Sequence, residues 1–169
     1  MKKIFYNKNN LKEEDINRIE KRAKILIINS NDEILFAYSH NNYFFVGGHV
    51  EENESFDEAI VREIKEETGI DIPLQKRTPF INITYLNKDY PKKGVNSKFI
   101  ANYYSIKCDT KPDLDKTTLT EEEKDGKFEL RYIHKDKALK ILYDSLKNCT
   151  WDAVVKDTIE VVKEYFNIT

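Results

Sequence analysis

The first half of the chain alternates short apolar runs with polar turn residues, a pattern typical of strands joined by tight turns. Its apolar, β-branched and aromatic runs predict three strands, at residues 24–29, 33–38 and 43–46. The turn chemistry of Asn31-Asp32 predicts that the first two form a hairpin. Ahead of them, residues 10–21 predict a short helix with Asn10 as its N-cap.

Residues 55–68 predict a helix with signals at both ends. Ser55 followed by Glu58 is a capping-box pattern, and Gly69 stands where a glycine commonly ends a helix. The rest of the chain predicts strands near 78–86, 98–107 and 128–133, a polar loop at 109–127, and helices at 136–146 and 151–166. Strands and helices mix without strict alternation, which favours one α/β domain over residues 1–169, with a mixed sheet between helices.

The helix at 55–68 changes character along one face. At about 100° per residue, its first two turns put three apolar side chains on the face expected to meet the core. These are Phe56, Ala59 and Ile60. Glu63 and Glu67 continue the same face, and Glu66 lies on its flank. Clustered carboxylates on a partly buried face must be protonated or held by a cation, and Mg²⁺ is the usual oxygen-bound cation.

Composition narrows the function classes. The chain carries 28 Lys and Arg against 30 Asp and Glu, a net charge of -2, which predicts binding to neither duplex nucleic acid nor an anionic membrane. No apolar run approaches the roughly 20 residues of a membrane span, and residues 1–6 lack a signal-peptide pattern. Cys108 and Cys149 form no metal-binding or redox motif. We therefore expect a cytoplasmic protein with reduced cysteines.

A longer motif runs through the acidic helix. Gly48, five residues, Glu54, seven residues and then residues 62–70 (REIKEETGI) fill every fixed position of the pattern GX5EX7REUXEEXGU, with U aliphatic. The segment 48–70 therefore resembles the Nudix box, and the elements around it resemble the layout of that family. One departure is Val46, where many members have proline, and it leaves the subfamily open.

The resemblance implies a loop–helix–loop catalytic motif on an α/β/α sandwich. It also implies Mg²⁺-dependent hydrolysis, sometimes with Mn²⁺, of a nucleoside diphosphate linked to another group. Carried over by position, the metal ligands would be Glu63, Glu66, Glu67 and the main-chain carbonyl of Gly48 or Gly47. Glu54 and Arg62 would be a supporting pair that orients the loop and the helix.

The general base is open at this stage. Many members of the family use a glutamate in a loop before the last strand, and Glu121, Glu122 and Glu123 lie in such a stretch. The alternative is that this run is a solvated acidic face. Glu66 or Glu67 could act on the water instead.

Substrate and assembly are open as well. We rank a nucleoside triphosphate or a nucleotide sugar first among small-molecule substrates. Two other functions compete: a catalytically silent nucleotide-binding module, and a diphosphate isomerase. Retention of all box glutamates favours the enzyme over the module, and the positions of the two cysteines do not favour the isomerase. The apolar side of the 151–166 helix could pack on its own domain or in a homodimer.

Overall fold

A seven-stranded mixed sheet forms the centre of the protein. The computed structural model describes residues 1–73 and 78–168. The strands are β1 (Lys2–Tyr6), β2 (Arg18–Ile28), β3 (Glu33–Ser39), β4 (Asn42–Phe44), β5 (Ile81–Asn87), β6 (Ser97–Lys107) and β7 (Glu129–His134). Their order is β1-β5-β6-β2-β3-β4, and β7 also pairs with β3. β1 with β5 and β2 with β6 are parallel pairs, and the other pairs are antiparallel.

Helices cover both faces of this sheet. They are α1 (Phe56–Thr68), α2 (Glu121–Asp125), α3 (Lys135–Ser145) and α4 (Asp152–Tyr165). Because side chains alternate along a strand, Ile25 and Ile27 of β2 pack with α1, while Leu26 packs in the core that holds α3 and α4. The predicted α/β/α sandwich with a mixed sheet is confirmed.

The apolar side of α4 is buried within its own chain. Val155, Ile159 and Val162 are part of the core beneath α3 and α4. This face therefore packs on its own domain, the first of the two arrangements left open by the sequence. None of the helices formed by the described residues combines the length and apolar character that a bilayer crossing requires.

The predicted helix at 10–21 is wrong. Only Glu13–Asp15 form a single 3-10 turn, and Asn10 adopts a positive φ of 52° instead of capping a helix. β2 already begins at Arg18, because its first residues pair in parallel register with β6. Long-range backbone pairing thus overrides the local helical pattern.

Two further elements differ from the prediction. β1 was not predicted, and among the described residues its one partner strand is β5, along one edge of the sheet. The segment predicted as a loop at 109–127 contains a 3-10 turn at Leu114–Lys116 and the short helix α2. Thr120 caps α2 by accepting a hydrogen bond from the backbone N–H of Glu123.

Both ends of α1 form as the sequence predicts. The Ser55 hydroxyl accepts from the Glu58 backbone N–H at 3.2 Å, and the Glu58 carboxylate accepts from the Ser55 backbone N–H at 2.8 Å. At the other end Gly69 has a φ of 70°, and a Cβ there would lie 2.2 Å from the Asp113 carbonyl oxygen. A glycine is therefore required at this position. The caps fix which residues of α1 face the sheet.

Replacing Ser55 with alanine removes the side-chain half of the N-terminal cap. We expect Ser55→Ala to lower the free energy of unfolding by about 1 kcal/mol, the usual cost of losing such a cap. Urea denaturation would measure the change. The matched control is Ser105→Ala, since Ser105 is exposed on β6. Equal stabilities of the two variants would argue against the cap.

A buried carboxylate on α4 makes stability depend on pH. Burial raises the pKa of Asp157 to about 6, although the Tyr85 hydroxyl donates a hydrogen bond to it. An acid with a raised pKa favours the folded state at low pH, and that contribution is lost as pH rises through about 6.

In the wild type we expect the free energy of unfolding to fall by up to about 3 kcal/mol between about pH 4 and pH 7. Asp157→Asn should remove most of this fall. The measurement is urea denaturation across this range. Asp125→Asn, which removes an exposed carboxylate from α2, is the control. An unchanged pH profile in Asp157→Asn would contradict the assignment.

Candidate active site

The acidic face of α1 is buried beneath a pair of glycines. Glu63 is 9% exposed and Glu67 is 4% exposed, one and two turns beyond the buried Ala59 and Ile60. The Gly47 backbone N–H donates to the Glu67 carboxylate at 3.0 Å. Glu66 lies on the flank, with 39% of its side chain exposed. The structure therefore brings Glu63 and Glu67 together inside the fold and leaves Glu66 at the rim.

The two glycines let the backbone approach β2 and α1 closely. Gly47 has a φ of 124°, and a Cβ there would lie 2.2 Å from the Ala23 carbonyl oxygen. A Cβ on Gly48 would lie 2.5 Å from the Glu63 carboxylate. Side chains at these positions would displace the strand or the carboxylate. The Gly48 carbonyl accepts a hydrogen bond from the Ala23 backbone N–H at 3.0 Å.

Arg62 connects the loop before α1 to the acidic face. Its guanidinium donates to both carboxylate oxygens of Glu54, each at 2.9 Å, and to the His49 carbonyl at 2.9 Å. It also donates to Glu63 at 2.9 Å and to Glu66 at 3.0 Å. The hydrogen bonds from Arg62 lower the pKa of Glu54. The planar, five-donor guanidinium suits this multiple contact, which a lysine could not reproduce.

Lys24 is a member of the site that the sequence did not single out. It lies on β2, is 9% exposed, and donates to the carbonyl of Phe45 at 3.2 Å and to that of Gly47. Its ammonium also lies 5.0 Å from the centre of the Phe44 ring. The one available signal is a lysine inside the apolar run 23–28, whose neighbours are all core residues.

Burial controls the charges of these groups. It raises the pKa of Glu67 to about 8, helped by the Glu63 carboxylate and opposed by Lys24 and the Gly47 N–H. Burial also raises the pKa of Glu63, against the opposing effect of Arg62. In the same surroundings, burial lowers the pKa of Lys24, and Glu67 opposes that shift. The fold thus holds negative charge in a place that disfavours it unless a cation compensates.

The oxygen atoms at this site are of the kind that bind a hard divalent cation. Buried carboxylate and carbonyl oxygens are the ligands that Mg²⁺ prefers. Within residues 1–73 and 78–168, no three Asp, Glu, His or Cys side chains converge closely enough in their present positions to share one metal ion. Arg62 and Lys24 supply the positive charge instead, and Arg62 holds two of the three carboxylates.

The acidic run 121–123 forms the first turn of α2. Glu121 pairs with Lys124 at 2.7 Å, and the Glu123 carboxylate accepts from the Thr120 backbone N–H at 2.6 Å. Within the described part of the chain, Glu122 makes no side-chain hydrogen bond or ion pair. After burial and the charge of Glu63, the charge of Glu123 also helps to raise the pKa of Glu67.

Comparison with known proteins shows the family of this chain and which solved structures share its fold. The sequence model of the NUDIX domain matches residues 19–147, which is more than half of the chain. No curated protein matches the chain.

Several solved structures share the fold. The MutT protein of Methanosarcina mazei Go1 is 20% identical, with a TM-score of 0.55 over 89% of this chain and 96% of that one. The dihydroneopterin triphosphate pyrophosphohydrolase of E. coli is 14% identical, with a TM-score of 0.58 over 90% and 100%. The Ap4A hydrolase of C. elegans is 16% identical, with a TM-score of 0.50 over 88% and 97%.

At these identities the solved structures establish a common fold, and the match to the domain model establishes the family. The chain belongs to the Nudix family of hydrolases.

Proposed function

We propose that this protein hydrolyses the diphosphate linkage of a nucleoside diphosphate derivative and releases a nucleoside monophosphate and a phosphorylated product. The reaction would depend on Mg²⁺, with Mn²⁺ as a substitute. The observation that carries the proposal is the burial of Glu63 and Glu67 side by side on α1, against the turn formed by Gly47 and Gly48. Two buried carboxylates of this kind are suited to bind a cation, which would in turn bind the phosphate of a substrate.

In this proposal Glu63, Glu66 and Glu67 hold the metal, together with the main-chain carbonyl of Gly48 or Gly47. A bound divalent ion neutralises a diphosphate and makes a coordinated water more acidic. Glu67 is anchored by the Gly47 N–H, so it is already oriented before any ligand arrives. Glu63 and Glu66 are held by Arg62 and would be released or shared when the site is filled.

Arg62 and Glu54 act as positioning residues in this scheme. The paired hydrogen bonds between them tie the loop at 49–54 to the middle of α1. The further bond from Arg62 to the His49 carbonyl fixes the chain just after Gly48. The carboxylate face and the glycine turn are thereby kept in one orientation, which pre-organises the site.

We propose Glu123 as the residue that accepts the proton from the attacking water. Among Glu121, Glu122 and Glu123, its charge influences both Glu67 and Lys24. Its carboxylate now caps α2 at Thr120, and it would leave that cap to act. Glu122, which has no partner on the described part of the chain, is the second choice, and a glutamate of α1 is the third.

For the substrate we propose a nucleoside triphosphate or a nucleotide sugar. One solved structure with this fold is named for a pterin triphosphate and another for a dinucleoside polyphosphate, so both substrate types belong in any trial. We further propose that residues 1–169 act as one domain, in the cytoplasm, on small molecules. A silent binding module is disfavoured because Glu63, Glu66 and Glu67 are all retained.

Turnover should require a divalent cation. We expect the purified protein with Mg²⁺ to release a monophosphate from at least one member of a panel of nucleoside triphosphates, nucleotide sugars, dinucleoside polyphosphates and pterin triphosphate. The product would be a mononucleotide from the first three classes and a pterin monophosphate from the last. EDTA should stop the reaction, and Mg²⁺ or Mn²⁺ should restore it. Chromatography of the products provides the measurement. Activity that survives exhaustive chelation would remove the metal from the proposal, and a product of unchanged mass would indicate an isomerase.

Glu67 should be essential for turnover but not for folding. Glu67→Gln keeps an acceptor for the Gly47 N–H, and burial already disfavours charge at this position. We expect kcat to fall by about 100-fold or more while the melting temperature is maintained or raised. Glu52→Gln is the control, because Glu52 is exposed in the turn before α1. Unimpaired turnover in Glu67→Gln with Mg²⁺ present would contradict the assigned metal site.

A further inference from the structure

The ammonium of Lys24 is surrounded by groups that accept hydrogen bonds or attract a cation. It donates to the carbonyl oxygens of Phe45 and Gly47, and the Phe44 ring lies 5.0 Å away. A lysine ammonium has three donors and no acceptor, and the face of an aromatic ring carries partial negative charge. These contacts suit the charged form of the side chain, which is buried to 9% exposure.

The same ammonium is the buried cation next to the acidic cluster. Burial lowers the pKa of Lys24, and the charges of Glu67, Glu63 and Glu123 oppose that shift. Arg22 is the neighbouring cation that opposes them. Arg62, by contrast, approaches from the outer side of the cluster, where it binds Glu54, Glu63 and Glu66.

Gly47 is held at both of its backbone groups. Its N–H donates to Glu67 of α1, and its carbonyl accepts from Lys24 of β2. The turn is therefore tied to the helix by a carboxylate and to the strand by an ammonium. A divalent ion bound by Glu67 and this carbonyl would use the carbonyl oxygen to which Lys24 already donates.

We propose that Lys24 is a built-in cation that competes with divalent metal for the carbonyl of Gly47, the residue whose N–H binds Glu67. Lys24 would keep the acidic cluster folded without metal and would weaken the binding of divalent ions. This inference rests on the proposed function, in which the cluster binds metal. Lys24 is a positioning residue in this account, since it acts through Gly47 and Glu67 and not on the substrate.

The test is the affinity for Mn²⁺ in the absence of substrate, measured by calorimetry and by electron paramagnetic resonance. A divalent ion and an adjacent ammonium repel each other strongly in a poorly screened site, so removing the ammonium should favour the ion. We expect Lys24→Met to bind Mn²⁺ about tenfold more tightly than the wild type or better. Lys21→Met, which alters an exposed lysine of the same strand, should match the wild type. Unchanged or weaker binding in Lys24→Met would overturn the proposal.

A second variant separates the charge of Lys24 from its hydrogen bonds, and a refolding measurement covers the case in which a variant unfolds. Lys24→Gln retains an N–H donor without the charge and should show the same gain in affinity. If either variant unfolds without metal, Mn²⁺ should restore the fold; failure of millimolar Mn²⁺ to do so would overturn the proposal.

The kinetics separate this inference from its alternatives. A raised KM in Lys24→Met with unchanged Mn²⁺ affinity would mean that Lys24 contacts the substrate, and the proposal would be wrong. The proposed function fails separately, if Glu67→Gln binds Mn²⁺ as tightly as the wild type. In that case the metal does not use the acidic cluster, whatever Lys24 does.

Discussion

Glu63 and Glu67 place two carboxylates on the face of α1 that packs against the sheet, and this burial of like charge constrains everything around it. Desolvation raises the pKa of both groups. The charge of Glu66 adds to the effect on Glu63, and the charge of Glu63 adds to the effect on Glu67. A fold can tolerate such a pair only if cations or hydrogen-bond donors surround it. In this protein the Gly47 backbone N–H donates to Glu67 and Arg62 donates to Glu63. Lys24 donates to the Gly47 carbonyl and acts on the carboxylates through its charge alone.

The helix caps, the glycine pair and Arg62 hold the two buried carboxylates in place. The capped ends of α1 fix the rotation of the helix, so that its apolar first turns and its acidic last turns share one face. Gly47 and Gly48 bring the backbone within contact of β2 and of Glu63, at positions where any Cβ would collide. Arg62 then ties the preceding loop to the same helix. The result is a small region rich in carboxylate and carbonyl oxygens, in which Arg62 and Lys24 supply positive charge.

The parts of the fold that sequence predicted well are those with local causes. α1 was predicted with its caps because Ser55, Glu58 and Gly69 act within one turn of the helix ends. Residues 10–21 were predicted as a helix, but pairing with β6, a strand about eighty residues later, makes Arg18 onward a strand. β1 has mostly exposed side chains at the sheet edge, so no apolar alternation marked it.

In the candidate site too, the sequence predicts the residues that share a local motif and misses those that are brought together by the fold. The box glutamates could be identified from their spacing on one helix, and the contact between Arg62 and Glu54 followed from the motif. The role of Lys24 depends on how closely Gly47 approaches β2, which no local pattern reveals. Which of Glu121, Glu122 and Glu123 could serve the site depends on how α2 orients them, and the sequence predicted a loop there.

The central claim is that the buried carboxylates of α1 form a metal site. The most direct test is a crystal structure of the protein with Mn²⁺, located by its anomalous scattering. The account predicts a peak within coordination distance of Glu67 and of at least one of Glu63 and Glu66, with Arg62 or Lys24 displaced from its present partner. A Mn²⁺ ion bound elsewhere in an active protein, with Glu63 and Glu67 unchanged, would contradict it.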